Sequence, residues 1–268
     1  MSKKISDKTL FWDFTIHKIL NLEVLNDVIK FHQSSTRIER DRLQKTNTDI
    51  QRWLDNVESS DNLPNIYTKE IALKHINEIN FPNSQREFTD ENISELEFCQ
   101  LLYNSFGRSK NNPSKRYPSA GSLYPVIPLI YLFEKNAIEG MTIESGVYVF
   151  NTYKNSIRLV KELNSDEKNE IKRITNTSNP HLVSKYCIGY AIDMKRAVAK
   201  YHRRGYRHAL IEIGLAAQCF RESCKDLKNI GEVCWSGFDD NSLTHISGMN
   251  PRTAPITLLQ WFGKYERK

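Results

Sequence analysis

The stretch 208–227 constrains the fold more than any other part of the chain. It reads as one long buried helix, in which Gly214, Ala216 and Ala217 permit close packing. Such a helix needs an apolar layer to lie on, and the remaining apolar runs are strand-like. They are 129–133, 186–192 and 256–262, with a shorter pair at 146–150 and 156–160 joined by a turn. Pro128 cannot donate to a sheet ladder, so the start of the run 126–133 is not expected in a central strand. Helices and strands interleave without a regular βαβ repeat, so the expected class is α+β, in a domain spanning about 81–268.

Residues 1–80 read as a helical, polar extension. Leu20, Leu22, Val24, Leu25, Val28, Ile29 and Phe31 share one helical face with some overflow. A charged stretch from Arg37 to Arg52 carries no core pattern, and Asp61-Asn62-Leu63-Pro64-Asn65 is a turn signal. Another helix begins at Thr89 or Asp90, puts Ile93, Leu96, Leu101 and Leu102 on its apolar face, and stops near Gly107.

Bulk properties exclude more than they specify. The net charge of +6 is dispersed, with short basic clusters at 200–207 and 225–228 and no helix-turn-helix or RNA-binding signature, so nucleic acid is not an expected partner. No apolar run is long enough to span a bilayer, and the N-terminal residues lack a long apolar segment, so neither membrane insertion nor a signal peptide is expected. Five cysteines, an odd count without a C-x-x-C pair, speak against a disulfide framework and a zinc ribbon; a reducing cytoplasm is the expected compartment. The seven histidines do not fall at metal-ligand spacing. G-x-G-x-x-G, Walker A, H-E-x-x-H and G-x-S-x-G motifs are all missing.

Four places carry residues suited to chemistry. In Arg116-Tyr117-Pro118-Ser119-Ala120-Gly121-Ser122-Leu123-Tyr124-Pro125, small residues let the backbone approach a ligand, Ser119 and Ser122 supply hydroxyls and Arg116 a fork of donors; an ordinary turn has the same composition. Lys200-Tyr201-His202-Arg203-Arg204-Gly205-Tyr206-Arg207 precedes the long helix, where cations and N–H groups make an anion site; a solvated basic loop explains it equally. Trp235-Ser236-Gly237-Phe238-Asp239-Asp240 offers two aromatic rings around a glycine, or a turn with Asp239 or Asp240 capping the next helix. Glu212 and Gln218 lie inside the long helix, where Gln218 could bond a cofactor or a neighbour.

Taken in order, these segments resemble the nitroreductase-like (SagB-type) oxidases of azole-containing peptide biosynthesis, of the microcin-synthetase kind. The block Arg116 to Pro125 resembles R-x-Y-P-S-A-G-A-L-Y-P, with Ser122 in the usual alanine place. Gly146-Val147-Tyr148-Val149-Phe150 resembles G-V-Y-x-Y, and Lys200-Tyr201 with Arg204 to Gly214 resembles K-Y followed by R-G-Y-R-x-A-L-x-E-x-G. Gly237-Phe238-Asp239-Asp240 and Ala254-Pro255 to Gly263 match the later blocks, and Phe31-His32-Gln33 is similar to an N-terminal F-H-E element. Pro82-Asn83-Ser84-Gln85-Arg86-Glu87-Phe88 departs from the usual R-R-S-x-R-x-[FY], keeping only Ser84, Arg86 and Phe88.

The resemblance implies a mixed sheet flanked by helices, in a homodimer with flavin mononucleotide (FMN) at the subunit interface. It implies a thiazoline or oxazoline in a precursor peptide as substrate, with oxygen reoxidising the flavin. Lys200 and Tyr201 would do the proton work, the lysine aided by burial or by Arg203 and Arg204. Arg86, Arg116 and Arg207 are candidates for the phosphate; Ser119, Ala120, Gly121, Ser122, Leu123, Gln218, Trp235, Ser236 and Gly237 are the other expected cofactor contacts. Expected partners are a YcaO-type cyclodehydratase and a peptide-clasping scaffold subunit, docked in part by residues 1–80. Two alternatives are an NAD(P)H-dependent nitroreductase and a flavin-fold scaffold without catalysis.

Overall fold

The computed structural model of the chain describes residues 16–38, 48–57, 60–63, 65–74, 83–109, 113–175 and 184–266. Parts of the charged stretch 37–52, Pro64 of the turn signal and Pro82 of the arginine-poor motif lie outside these residues. Contacts divide the chain into two units, one comprising 1–38 with 84–268 and the other 39–83. The second unit holds a helix, Thr48–Val57, that buries none of its residues and exposes Ile50 and Trp53.

In the first unit, helix α1 (Leu22–Ser34) is capped by Asn21 and buries Val24, Leu25, Val28, Ile29 and His32. It packs on the helices Met194–Tyr201 and Arg203–Lys225. Numbering the 48–57 helix α2, helix α3 (Glu95–Phe106) follows a two-residue strand β1 (Ile93–Ser94). A capping box starts α3: Ser94 accepts from the Glu97 N–H and the Glu97 carboxylate accepts from the Ser94 N–H. The helix thus begins later than expected from Thr89 or Asp90. Ile93 lies in β1, and Leu96 points to solvent.

Six strands make the main sheet: β2 (Val126–Leu132), β4 (Gly146–Asn151), β5 (Ser156–Glu162), β6 (Tyr186–Ile192), β7 (Ile230–Trp235) and β8 (Ile256–Lys264), in the order β5-β4-β2-β6-β8-β7. Every neighbouring pair is antiparallel. Among the described residues, the expected mixture of strand directions is met by the short parallel pairing of β1 with β3 (Ile138–Glu139), outside the main sheet. Pro128 lies within β2 after all. It faces Tyr190 of β6, while pairing with β4 starts only at Leu129, so no ladder on that side asks for its missing N–H.

Alternation along the strands sends side chains to two cores. Ile130, Leu132, Ile188, Tyr190 and Phe262 join the core formed with α1, α3, α5 (Met194–Tyr201) and α6 (Arg203–Lys225). Leu129, Tyr131, Cys187, Leu259 and Trp261 join that formed with α4 (Ser165–Ile174) and α7 (Asp240–Ile246). Helices therefore cover both faces of the sheet. Among the described residues no helix is long and apolar enough to cross a membrane.

Candidate active site

Helix α5 is capped by Asp193, whose carboxylate accepts from the Arg196 N–H, and its last turn ends on Lys200 and Tyr201. His202 then takes φ 51° and ψ −139° and turns the chain directly into α6. That backbone conformation costs a non-glycine residue roughly 1–3 kcal/mol. The two helices press so closely that a Cβ on Gly205 would lie 1.9 Å from the Ala197 carbonyl oxygen. Lys200 and Tyr201 therefore close one helix instead of preceding another as a basic loop. Arg203, in the first turn of α6, is paired with Asp27 of α1.

The loop before β2 folds onto this pair. Ala120–Ser122 form one 3-10 turn, with φ of 62° at Gly121, 55° at Ser122 and 47° at Tyr124. Ser119 holds the loop, its carbonyl accepting from the Ser122 N–H at 3.0 Å and its Oγ from the Tyr124 N–H at 2.8 Å. A Cβ at Gly121 would lie 2.5 Å from the Tyr201 hydroxyl and 3.0 Å from Lys200 Nζ. Only a left-handed residue without a side chain allows that approach. Lys200 Nζ sits 5.2 Å from the centroid of the Tyr201 ring. Lys200 is exposed and Tyr201 partly buried, so of the two aids expected for the lysine, burial or the cations Arg203 and Arg204, burial is not supplied within one chain.

Two residues on one face of α6 complete the surroundings. The His208 ring meets Tyr201 edge-on at 5.1 Å between centroids. One turn on, Glu212 is 2% exposed and its Oε1 has no hydrogen-bond partner. Burial raises the Glu212 carboxyl, against the opposing pull of Ser119, Lys115 and the Val126 amide. Burial, with Arg108 nearby, lowers Lys115 to about 8. Sequence reasoning left His208 without a role; its i, i+4 spacing from Glu212 was the available signal.

The other expected cofactor residues are dispersed. Arg116 is ion-paired with Asp226 at 3.5 Å and bonds Ser223 Oγ at 3.4 Å, beside a cleft of about 570 Å³ lined by Tyr103, Arg108 and Lys115 among others. Arg86 and Arg207 are exposed and, among the described residues, outside any ion pair. Gln218 is exposed and donates to Glu222 Oε1 at 2.7 Å. Trp235 packs against the other core and donates to the carbonyls of Thr175 at 2.9 Å and Gly237 at 3.0 Å. Ser236 and Gly237 lie between it and Phe238 of the same core, whereas Tyr117 and Tyr124, on either side of Gly121, belong to the other core. One chain thus assembles the Ser119–Leu123 loop with Lys200 and Tyr201, and holds Trp235, Ser236 and Gly237 apart from them. Asp239 caps α7 as expected, accepting from the Ser242 N–H at 2.8 Å. Arg221, which sequence reasoning did not single out, reaches Ser84 Oγ at 3.3 Å and pairs with the buried Glu232 at 3.3 Å.

Against known proteins, the chain is 25% identical over 202 residues to the microcin B17-processing protein McbC of Escherichia coli, covering 68% of this chain and 70% of McbC. A chain of the E. coli microcin synthetase McbBCD complex, solved with truncated pro-MccB17 bound, superposes with a TM-score of 0.81 at 21% identity, covering 95% of this chain and 97% of that one. The chain is homologous to McbC and has the nitroreductase-like fold. MJ1384 of Methanocaldococcus jannaschii, named as a nitroreductase, is 26% identical over 185 residues, covering 67% of this chain and 89% of that protein. No protein-family model matches.

Proposed function

We propose that this protein is a flavin-dependent oxidoreductase that converts azoline rings of a precursor peptide into azoles, as one subunit of a heterocycle synthetase. One observation carries the proposal: Gly121 sets the Ser119–Leu123 loop so close to both proton-bearing groups that a Cβ there would lie 2.5 Å from the Tyr201 hydroxyl and 3.0 Å from Lys200 Nζ, in a homologue of McbC. A bare backbone against two such groups is what a flat ring system and its reacting carbon require.

The residues present fit a flavin in part. The Gly121 turn, with Arg86 and Arg207 free of ion pairs, supplies a close-approach surface and cations for a phosphate. Arg116 is already held by Asp226 and is the weaker candidate. Trp235, Ser236 and Gly237 would complete the cradle from a second copy, which makes a homodimer part of the proposal. FMN, when bound, would supply the acceptor for the hydride leaving the azoline β-carbon.

The chain's own contribution is proton handling and orientation. The azoline α-proton is acidified by the adjacent C=N bond. Lys200 in its neutral amine form would take it as the C–H bond breaks, directly or with Tyr201 relaying the proton, and the freed electron pair closes the ring's new double bond as the β-hydride leaves. Tyr201 packs edge-on against His208, and Lys200 is open to solvent. A cyclodehydratase and a peptide-clasping scaffold are the expected partners, in the cytoplasm, where the five free cysteines would stay reduced.

The test is a visible spectrum of the purified protein with its chromophore identified by mass, followed by azoline-peptide oxidation by Lys200→Ala and Tyr201→Phe. Bound FMN, and variants that keep it but form no azole, are expected. A colourless protein that takes up no FMN would leave a scaffold role, and steady NADH consumption with a nitroaromatic would favour a nitroreductase.

A further inference from the structure

The Phe31-His32-Gln33 element has no part in the chemistry above, yet it ends on the joint that presents Lys200 and Tyr201. We propose that α1 clamps the α5–α6 joint, with His32 as a positioning residue that keeps Lys200 and Tyr201 in place. The proposal rests on the role given to that pair.

His202 is the hinge of the joint, and its backbone is strained at φ 51° and ψ −139°. Strain of this kind persists only where the surroundings over-determine it. Local bonds supply part of the constraint: the His202 N–H donates to the Val198 carbonyl at 2.8 Å, and the Gly205 N–H to the His202 carbonyl at 2.9 Å. Helix α1 supplies the rest from outside. Asp27 pairs with Arg203, the residue after the hinge. His32 Nδ1 lies 2.9 Å from the Tyr206 hydroxyl, one turn into α6. Phe31 meets the Tyr206 ring edge-on, with centroids 6.1 Å apart.

The clamp is itself anchored. Gln33 and Asn241 exchange two amide hydrogen bonds of 3.2 and 3.0 Å, and Gln33 also donates to the Pro251 carbonyl at 3.1 Å. The Arg37 N–H donates to the Asp240 carboxylate at 2.9 Å. These contacts stop α1 from sliding along α6.

Packing alone does not explain a histidine here. His32 is 4% exposed, and its Nε2 is buried without a partner. An apolar side chain would fill the space without that cost. What an apolar residue cannot do is meet the Tyr206 hydroxyl.

The experiment is amide hydrogen exchange at His202 and Gly205 in the full chain, across a cycle of His32→Phe, His202→Gly and the double variant. Glycine takes the hinge conformation without strain. His32→Phe is expected to lower protection of both amides about tenfold, the ratio that losing one buried hydrogen bond gives. In the His202→Gly background the loss is expected to fall to about twofold or less. His32→Asn, which can return a polar atom to the Nδ1 position, is expected to restore most of the protection. Should His32→Phe fail to fold, Asp27→Asn tests the same clamp through Arg203. Equal losses in both backgrounds, or no loss in either, would overturn the proposal and leave His32 as ordinary core. The measurement uses neither flavin nor azoline, so it stands apart from any failure of the proposed oxidation.

Discussion

Substituting Gly121 by alanine separates positioning from stability. The new Cβ would start 2.5 Å from the Tyr201 hydroxyl and 3.0 Å from Lys200 Nζ, whereas ordinary contact begins at 3.4 Å. The hydroxyl must therefore retreat by 0.9 Å (3.4 − 2.5) and the ammonium by 0.4 Å (3.4 − 3.0). Both are ends of side chains, so the fold can give way there. Gly121 is also at φ 62°, where alanine costs roughly 1–2 kcal/mol. At roughly 2–4 °C per kcal/mol for a domain of this size, the melting temperature should drop by about 2–8 °C. The effect on turnover is larger, because a misplacement of about 1 Å costs on the order of 100-fold. The assay is azoline-peptide oxidation with FMN occupancy measured in the same sample. Expected is kcat down about 100-fold with FMN still bound. A variant with the expected loss of stability and kcat within about twofold of the parent would refute the idea that this contact orients the pair.

Gly214, in contrast, has nothing within 4 Å of the place a Cβ would take. Gly214→Ala should gain about 1 kcal/mol of helix propensity and raise the melting temperature by roughly 2–4 °C, measured by calorimetry; a loss instead would show that another surface packs closely there. Asp240 is raised to about 6, chiefly by burial, so in the folded state it holds its proton above its ordinary range. Its favourable share of stability is complete below the unfolded value of 3.8 and is lost as pH rises through about 6. Asp240→Asn should therefore raise the melting temperature at pH 8 and leave it nearly unchanged at pH 3.5; an equal gain at both would assign the effect to packing.

Strands with continuous apolar runs were legible from sequence, and the reasons for the misses are local. Tyr186–Ile192 is buried at every position and stood out at its full length. Strand β7 did not, because Ile230-Gly231-Glu232-Val233-Cys234-Trp235 carries a carboxylate in mid-run. Glu232 is tolerated there since Gln260 Nε2 donates to it at 2.6 Å and Arg221 pairs with it, partners a linear pattern cannot show. Helix α4 was also missed: it is polar and buries only Ile171 and Ile174, too few for a periodic signal. At the site, motif resemblance supplied Gly121, Lys200 and Tyr201, but their contact joins segments far apart in sequence. The extension read at 1–80 divides: α1 joins the main unit through the apolar face that was legible, Val24, Leu25, Val28 and Ile29, and through His32 and Gln33, two polar residues that hydrophobic patterning overlooks.

Helix α6 ties these observations to the proposed homodimer. Its inner face carries His208 and Glu212 toward the loop and Tyr201, while its outer face exposes Leu210, Ile211 and Leu215 around uncovered Gly214. Exposed apolar side chains in a row are a reason to expect a covering surface. The packing of Trp235 and Phe238 into one core, with Tyr117 and Tyr124 in the other, is a second, independent reason. If one active site takes Lys200 from one copy and Gly237 from the other, two inactive variants can repair each other. Lys200→Ala and Gly237→Val, unfolded and refolded together in equal amounts, would give heterodimers as half of all dimers, each with one intact and one doubly altered site. Recovered activity should then be roughly a quarter of the parent's, from two preparations inactive alone. No recovery, with mixed dimers confirmed by mass, would place both residues in sites built by a single chain and remove the reason for a shared flavin.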